Sequence, residues 1–177
     1  MALKSTIIKA ELAVSDMDRH HYETYALTLA QHPSETAERV LVRLLAFALN
    51  AAEGLAFGNG LSSEEPALWQ RDATGEIVRW IEVGQPDGQA LRRACGRARE
   101  VRVYSYGTRG AQVWWERSRE QLARLPNLQV WEVSPESSSA LNAHAGRSLK
   151  LQCLVQDGQA SLVFEDSLVP MELLRRQ

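Results

Sequence analysis

The sequence of 177 residues predicts an α/β protein of the mixed (α+β) class, in which a central mixed sheet is flanked by helices. Three observations predict this class. Short segments alternate apolar and polar residues, longer segments repeat apolar residues at helical spacing, and residues 101–133 have the pattern strand, helix, strand. No repeat, linker or break in composition divides the chain, and its length suits one core. We therefore expect a single domain over residues 1–177.

Composition restricts the classes of protein to which the chain can belong. Hydrophobic residues make up 45% of it, charged residues 24%, and the formal net charge is -2. Binding to nucleic acid driven by overall charge is therefore disfavoured, and any such contact is expected at a local patch. No apolar run is long enough to span a bilayer, and the first residues lack a signal-peptide pattern, so we expect a cytoplasmic protein without a membrane partner. Cys95 and Cys153 lack metal-ligand spacing and fit buried thiols in a reducing compartment.

The N-terminal residues predict a long β-hairpin followed by a helix. Strands are expected at about residues 3–14 and 21–31, around a polar turn. Asp16, Asp18, His20 and His21 in this turn are a candidate metal cluster; the alternative is that they are the ordinary polar residues of a hairpin turn. The helix is expected over about 34–52, with Ser34 as its N-cap and Glu35 and Glu38 in its first turn. Its buried stripe would be Ala37, Val40, Leu41, Leu44, Leu45 and Ala48.

A second hairpin is predicted in the middle of the chain, after a short strand at 55–57 and a loop at 58–64. Its strands are 67–72 and 77–83, joined by a turn at 73–76. Folding it back pairs residue 72 with 77, 70 with 79 and 68 with 81, which places Ala67 opposite Glu82. Because side chains alternate along a strand, Glu82 should share a face with Val78 and Trp80.

Two carboxylates are expected to converge at the open end of this hairpin. Glu65 lies two residues before Ala67, on the same face, and should therefore approach Glu82. A carboxylate in a largely apolar strand is costly unless it is paired or bound to a cation, and Mg²⁺ prefers oxygen ligands. The alternative is that Glu82 is half solvated or pairs with a nearby arginine, such as Arg71 or Arg79.

The next helix, at about 89–99, is unusually rich in arginine. Arg93 and Arg97 lie one turn apart on one flank, with Arg92 and Arg99 on the other. Planar guanidinium groups match phosphate geometry, so the four arginines form a candidate phosphate-binding surface; a solvated helix face is the alternative. The later elements are expected to be a strand at 101–106, a helix at 109–124, a strand at 127–133, a short helix from Pro135, a hairpin of 149–156 with 159–164, and a last strand near 168–173.

The order of elements from residue 34 resembles the core of the PD-(D/E)XK nuclease superfamily. More closely, the chain resembles the YaeQ family of bacterial proteins, whose function is unassigned, over nearly its whole length. The segments that carry the resemblance are SDMDRH at 15–20, LTLAQHPSET at 27–36, RLLAFAL at 43–49, IEVGQPD at 81–87, ACGRA at 94–98 and VWWE at 113–116. The resemblance implies a restriction-endonuclease-like core at about 34–133, with extra N-terminal and C-terminal β-hairpins.

The resemblance also implies roles for individual residues. Glu65, Glu82 and Glu38 would hold Mg²⁺, and Glu82 would be the acid of the third core strand. Gln85 would position the attacking water, Arg97 would face the scissile phosphate, and Arg93 would bind phosphate beside it. The sequence departs from the nuclease pattern twice, because Ala67 stands where an aspartate is usual and Gly84 where a lysine is usual.

These expectations lead to two classes of function. One is a Mg²⁺-dependent phosphodiesterase or nuclease that acts on nucleic acid. Because the usual lysine is missing, activation of the nucleophile would then depend on a metal-bound water. The other is a non-catalytic adaptor that binds nucleic acid or protein, and a protein partner could add to the edge of the N-terminal hairpin.

Overall fold

A computed structural model describes residues 4–58 and 64–177, so most of the predicted loop at 58–64 lies outside the described residues. The strands are β1 (Thr6–Asp16), β2 (His21–Gln31), β3 (Leu55–Phe57), β4 (Leu68–Arg71), β5 (Ile77–Val83), β6 (Ala98–Ser105), β7 (Leu128–Val133), β8 (Ser148–Gln156), β9 (Gln159–Phe164), β10 (Ser167–Met171) and β11 (Leu173–Arg175). The helices are α1 (Ala37–Asn50), α2 (Gly88–Arg97), α3 (Arg109–Leu122) and α4 (Pro135–Leu141), followed by a 3-10 turn at Asn142–His144. The mixed α+β class is confirmed. Within the described ranges, no helix is both long and apolar enough to cross a membrane.

The chain folds into two compact units, each with its own sheet. The first contains the chain up to Ala51 together with Glu136–Glu172, and the second contains Ala52–Pro135 with Leu173–Gln177. The segment at about 34–133, expected to form a nuclease-like core, therefore has α1 in the first unit and β3–β7 in the second.

The sheet of the first unit has the order β10-β9-β8-β1-β2. Strands β1 and β8 pair in parallel, which joins the N-terminal and C-terminal hairpins into one sheet. The sequence predicts both hairpins but not their pairing. Ile8, Ala10, Leu12 and Val14 alternate along β1 and are buried, so one face of this sheet forms a core.

Helix α1 begins two residues later than the sequence predicts. Its N-cap is Thr36, whose hydroxyl accepts a hydrogen bond from Arg39 N, whereas Ser34 Oγ contacts His32 Nδ1. Glu35 therefore precedes the helix instead of lying in its first turn. Its side chain, only 3% exposed, forms ion pairs with Arg39 at 2.6 Å and Arg43 at 3.0 Å.

The sheet of the second unit has the order β11-β7-β6-β5-β4-β3. Strands β6 and β7 run parallel, as the strand–helix–strand pattern at 101–133 predicts. Strand β5 also runs parallel to β6, and β4 pairs antiparallel with β5. The predicted pairs of residue 68 with 81 and 70 with 79 are confirmed, but Arg71 instead of Asp72 pairs with Ile77. A β-bulge at Val78 causes this shift, so Ile77 lies in the same core cluster as Trp80 instead of on the opposite face. The predicted last strand is two strands, β10 and β11, in different sheets.

Both cysteines have environments that suppress thiol reactivity. Burial raises the pKa of Cys153 to about 12 and that of the half-buried Cys95 to about 11. We expect alkylation of the native protein by iodoacetamide at about pH 8 to be more than about a hundredfold slower than alkylation of an unperturbed thiol, because the thiolate is scarce. Mass spectrometry of samples taken over time, native and in urea, measures this. Equal labelling rates in the two conditions would contradict the burial of Cys153 and the partial burial of Cys95.

Candidate functional site

Glu82 is anchored by the side chain of Trp80. The indole Nε1 of Trp80 donates a hydrogen bond to Glu82 Oε1 at 2.8 Å, so the two side chains share a face of the sheet. Trp80 is 2% exposed and belongs to the core cluster that includes Leu91 and Ala94 of α2. Since a buried indole N–H needs an acceptor, this bond fixes the carboxylate at the margin of the core.

Arg97 contacts the same indole. It is the last residue of α2, and its Cζ lies 5.1 Å from the centroid of the Trp80 ring, within the range of a cation–π interaction. Its Nη1 also donates to the carbonyl oxygen of Glu64 at 3.4 Å. The guanidinium of Arg97 thus approaches both Trp80 and the segment that contains Glu65. We call Trp80, Glu82, Arg97 and the segment 64–65 the Trp80 cluster.

Ala67, which stands where the resemblance to the nuclease superfamily implies an aspartate, is closed to solvent. Ala67 is fully buried, and its carbonyl oxygen accepts a hydrogen bond from Gly58 N at 3.0 Å. The β4–β5 register, continued by one residue, places Ala67 opposite Glu82. Glu65 is half-buried two residues before it. In the parts of the chain that the structure describes, no three His, Cys, Asp or Glu side chains are grouped to hold a metal ion, so a cation here would need backbone or water oxygens as further ligands.

Gln85 follows a glycine turn at the end of β5. Gly84 has a φ of +106°, a conformation that favours glycine, and its N–H donates to Tyr104 O at 2.9 Å. Gln85 Nε2 donates to Tyr106 O at 2.7 Å. Gln85 is exposed and its Nε2 is engaged, so Oε1 is the atom of this amide that can orient a water molecule.

The arginines near α2 fall into two groups. Arg93 lies one turn before Arg97 and is exposed, without a side-chain partner among residues 4–58 and 64–177. Arg99 lies on β6 instead of α2, which corrects the predicted helix end. It pairs with Asp72 at 2.8 Å and with Glu76, and the hydrogen bond and charge of Glu76 raise the pKa of Arg99. Arg99 therefore ties β6 to the β4–β5 turn.

The other candidates from the sequence have these positions. Glu38 is half-buried in the first turn of α1, in the first unit, and its role as a ligand stays a prediction. Arg79 pairs with Glu100 at 3.4 Å, and Arg71 lies 4.3 Å from the ring centroid of Trp69. Trp69 in turn contacts Trp80 edge to face, with ring centroids 6.0 Å apart.

The hairpin turn proposed as a metal cluster is a structural link. Asp16 is 3% exposed and pairs with Arg19 at 2.6 Å. Asp18 accepts hydrogen bonds at 2.8 Å from the backbone N–H groups of Asp157 and Gly158. The two carboxylates therefore hold the β1–β2 and β8–β9 turns in place.

The role of Trp80 is the feature that the sequence analysis missed. Alternation along β5 indicates that Trp80 and Glu82 share a face, which would have allowed the indole–carboxylate bond to be proposed. The contact with Arg97 depends on how α2 packs against the sheet, and no local pattern indicates that.

Comparisons with known proteins agree on the family. The family model described as YaeQ protein matches residues 1–173. The uncharacterized protein YaeQ of Escherichia coli (strain K12) is 43% identical over 159 residues, which cover 89% of this chain and 88% of that protein. The crystal structure of the YaeQ protein from Xanthomonas axonopodis pv. citri has a TM-score of 0.92 and 44% identity, covering 98% of both chains. That of the YaeQ protein from Pseudomonas syringae has a TM-score of 0.93 and 34% identity, covering 98% of this chain and 96% of that one.

Proposed function

The chain belongs to the YaeQ protein family, and from the Trp80 cluster we propose that it is a divalent-metal-dependent phosphodiesterase that acts on nucleic acid. The observation that carries the proposal is the shared indole of Trp80. It holds the carboxylate of Glu82 and contacts the guanidinium of Arg97, so a group suited to Mg²⁺ and a group suited to phosphate lie around one side chain.

Each residue of the site has a role in this proposal. Glu82 and Glu65, both in the second unit, would hold Mg²⁺. Oε1 of Gln85 orients the attacking water molecule, and Mg²⁺, when bound, would supply the acidifying effect that a lysine-free site needs. Arg97 stabilises charge on the phosphate, and Arg93 binds the backbone of the nucleic acid one helical turn away.

A second candidate is a non-catalytic adaptor that binds nucleic acid or protein. Two observations favour it. The buried Ala67 removes the usual aspartate, and Gly84 occupies the position of the usual lysine. An adaptor of this kind would bind its partner in the presence of a chelator and would cleave nothing.

A cleavage assay separates the two candidates. Single-stranded and double-stranded DNA and RNA oligonucleotides are incubated with the wild type and with Glu65→Gln, with Mg²⁺, with Mn²⁺ or with a chelator. The phosphodiesterase requires cleavage that depends on the metal and is strongly reduced by the substitution. Binding without cleavage in all three conditions would instead support the adaptor.

Removing Arg97 is expected to weaken binding to nucleic acid and to reduce its dependence on salt. Arg97→Met keeps an apolar side chain near Trp80 but loses the phosphate contact, so the slope of log K against log[salt] should fall by roughly 0.7 to 0.9. Arg93→Met should give a similar decrease, whereas Arg92→Met, on the other flank of α2, is the matched control. Titrations at several salt concentrations measure the slope. Equal slopes for the wild type and all three variants would contradict the assignment of this flank to phosphate.

A further inference from the structure

Strand β2 is an edge strand of the five-stranded sheet, among the strands of the described chain. The neighbouring strand shows which of its backbone groups face outward. Lys9 N donates to Arg147 O on the β8 side, so the odd-numbered residues of β1 direct their backbone groups towards β8. Even-numbered residues of β1 therefore bond to β2, where Ile8 is opposite Leu29. The backbone groups that point to the free edge are those of Tyr22, Thr24, Ala26, Thr28 and Ala30.

One backbone carbonyl at the end of this edge is already hydrogen-bonded within the chain, and the five edge-directed residues are exposed. Arg43 Nη1 donates to Ala30 O at 3.2 Å, which occupies the last outward carbonyl of β2. The side chains of the five edge-directed residues all lie on the exposed face of the sheet. None of these five side chains is charged.

Strand β2 lacks most of the features that usually prevent an edge from pairing, and its one carboxylate, Glu23, is not among the edge-directed residues. It contains no proline, lysine or arginine, and its eleven residues pair with β1 without a bulge. Natural edge strands are commonly protected by those residues or by bulges. The row of Thr24, Ala26 and Thr28 is also symmetric about its centre, so it complements a second copy of itself in the antiparallel direction.

We propose that β2 pairs antiparallel with β2 of a second copy of this chain, with the two-fold axis at Ala26. Thr24 then lies opposite the partner's Thr28, and these threonine pairs are favourable across strands. The edge-directed groups of residues 24, 26 and 28 supply about six hydrogen bonds, because directly opposed residues exchange two each. The contact is isologous, so it closes as a dimer instead of growing into a fibre.

The same register covers two exposed apolar side chains. Ile7 is 53% exposed and Tyr22 is 61% exposed. Ile7 pairs with Ala30, and the dimer places the partner's Tyr22 on the other side of Ala30. Since alanine is small, the tyrosine ring can reach across it to Ile7, and symmetry repeats this contact. A single strand pair buries less than a standard interface, so we expect association at high protein concentration.

Charge substitutions on the exposed face test the register directly. In Thr24→Lys/Thr28→Lys, each new lysine lies opposite a partner's lysine. In Thr24→Lys/Thr28→Glu, each new lysine lies opposite a partner's glutamate. Gln152→Lys/Gln156→Lys adds the same charge as the first variant on the same face of β8, away from the edge, and is the matched control. Sedimentation velocity of the full chain over about 1 μM to 1 mM measures the dimer.

The wild type and the β8 control should dimerise with similar dissociation constants. The lysine pair should weaken the dimer by about tenfold or more, and the lysine–glutamate pair should restore it. Circular dichroism checks that each variant is folded. A wild type that stays monomeric throughout would overturn the proposal and leave the edge to another protein. A dimer that is equally stable in the two charge variants would also overturn it, because a different surface would then mediate association.

Discussion

Replacing Glu82 with glutamine should abolish both metal-dependent cleavage and stabilisation by divalent ions, and leave the metal-free protein about as stable as the wild type. The glutamine Oε1 can still accept the hydrogen bond that Trp80 Nε1 donates to Glu82 at 2.8 Å, so the buried indole N–H keeps an acceptor. What is lost is the negative charge. For a site with a dissociation constant of about 1 mM, ~10 mM Mg²⁺ stabilises the wild type by roughly 1.4 kcal/mol. That corresponds to about 3 °C in melting temperature for a domain of this size.

The measurement is thermal unfolding of the wild type and Glu82→Gln, with and without Mg²⁺ or Mn²⁺, together with the oligonucleotide assay. We expect the loss of one ligand carboxylate to reduce cleavage by about a hundredfold or more. Glu53→Gln removes a charge from an exposed position in the same unit and is the control. A loss of several kcal/mol in metal-free Glu82→Gln would contradict the proposal, because Glu82 would then be a structural ion-pair partner.

Replacing Glu35 with glutamine should destabilise the protein by about 3–5 kcal/mol, the largest effect on stability that we expect from a single charge. The side chains of Glu35 and Arg43 are each 3% exposed and lie 3.0 Å apart. Burial lowers the pKa of Arg43, and the charge of Glu35 opposes that effect. Without the carboxylate, a buried guanidinium loses its compensating charge. Chemical denaturation measures the change in the free energy of unfolding.

Two further variants make this test specific. Glu11→Gln, an exposed change on β1 of the same unit, should alter the free energy of unfolding by less than about 0.5 kcal/mol. Glu35→Met/Arg43→Met should recover much of the loss, because apolar residues of similar volume often replace a buried ion pair at little cost. A small effect of Glu35→Gln would show that Arg43 does not depend on this carboxylate.

Local sequence patterns predicted the β4–β5 hairpin and most of its register, because both depend on residues close together in the chain. Alternating residues and a turn of about four residues were enough to place residue 68 opposite 81 and 70 opposite 79. The bulge at Val78 escaped prediction because side chains in the turn cause it. Asp72 Oδ1 accepts hydrogen bonds from Thr74 N and Glu76 N, and Asp72 N bonds to Glu76 O, which shifts the next pair by one residue.

Errors at α1 and in the first sheet have a similar origin. Ser34 and Thr36 are both good N-caps, and α1 uses the later one, Thr36. With this start, the buried Glu35 lies before the helix and pairs with Arg39 and Arg43. The parallel pairing of β1 with β8 joins residues far apart in the chain, so no local sequence pattern predicts it. The contact of Arg97 with Trp80 likewise needs the packing of α2 on the sheet.

The hydrogen bond from Trp80 to Glu82 makes one measurement especially direct. A two-dimensional ¹H–¹⁵N NMR spectrum resolves the indole N–H of each of the five tryptophans, and Trp80→Phe assigns the signal of Trp80. During titration with Mg²⁺, the Trp80 indole signal should shift and saturate in the millimolar range, because the ion withdraws charge from its acceptor. The signals of Trp114, which donates to Pro86 O, and Trp131, which donates to Gln129, should stay in place. Glu82→Gln should abolish the shift. A Trp80 signal that does not move up to ~20 mM Mg²⁺, well above the expected dissociation constant, would contradict metal binding at Glu82.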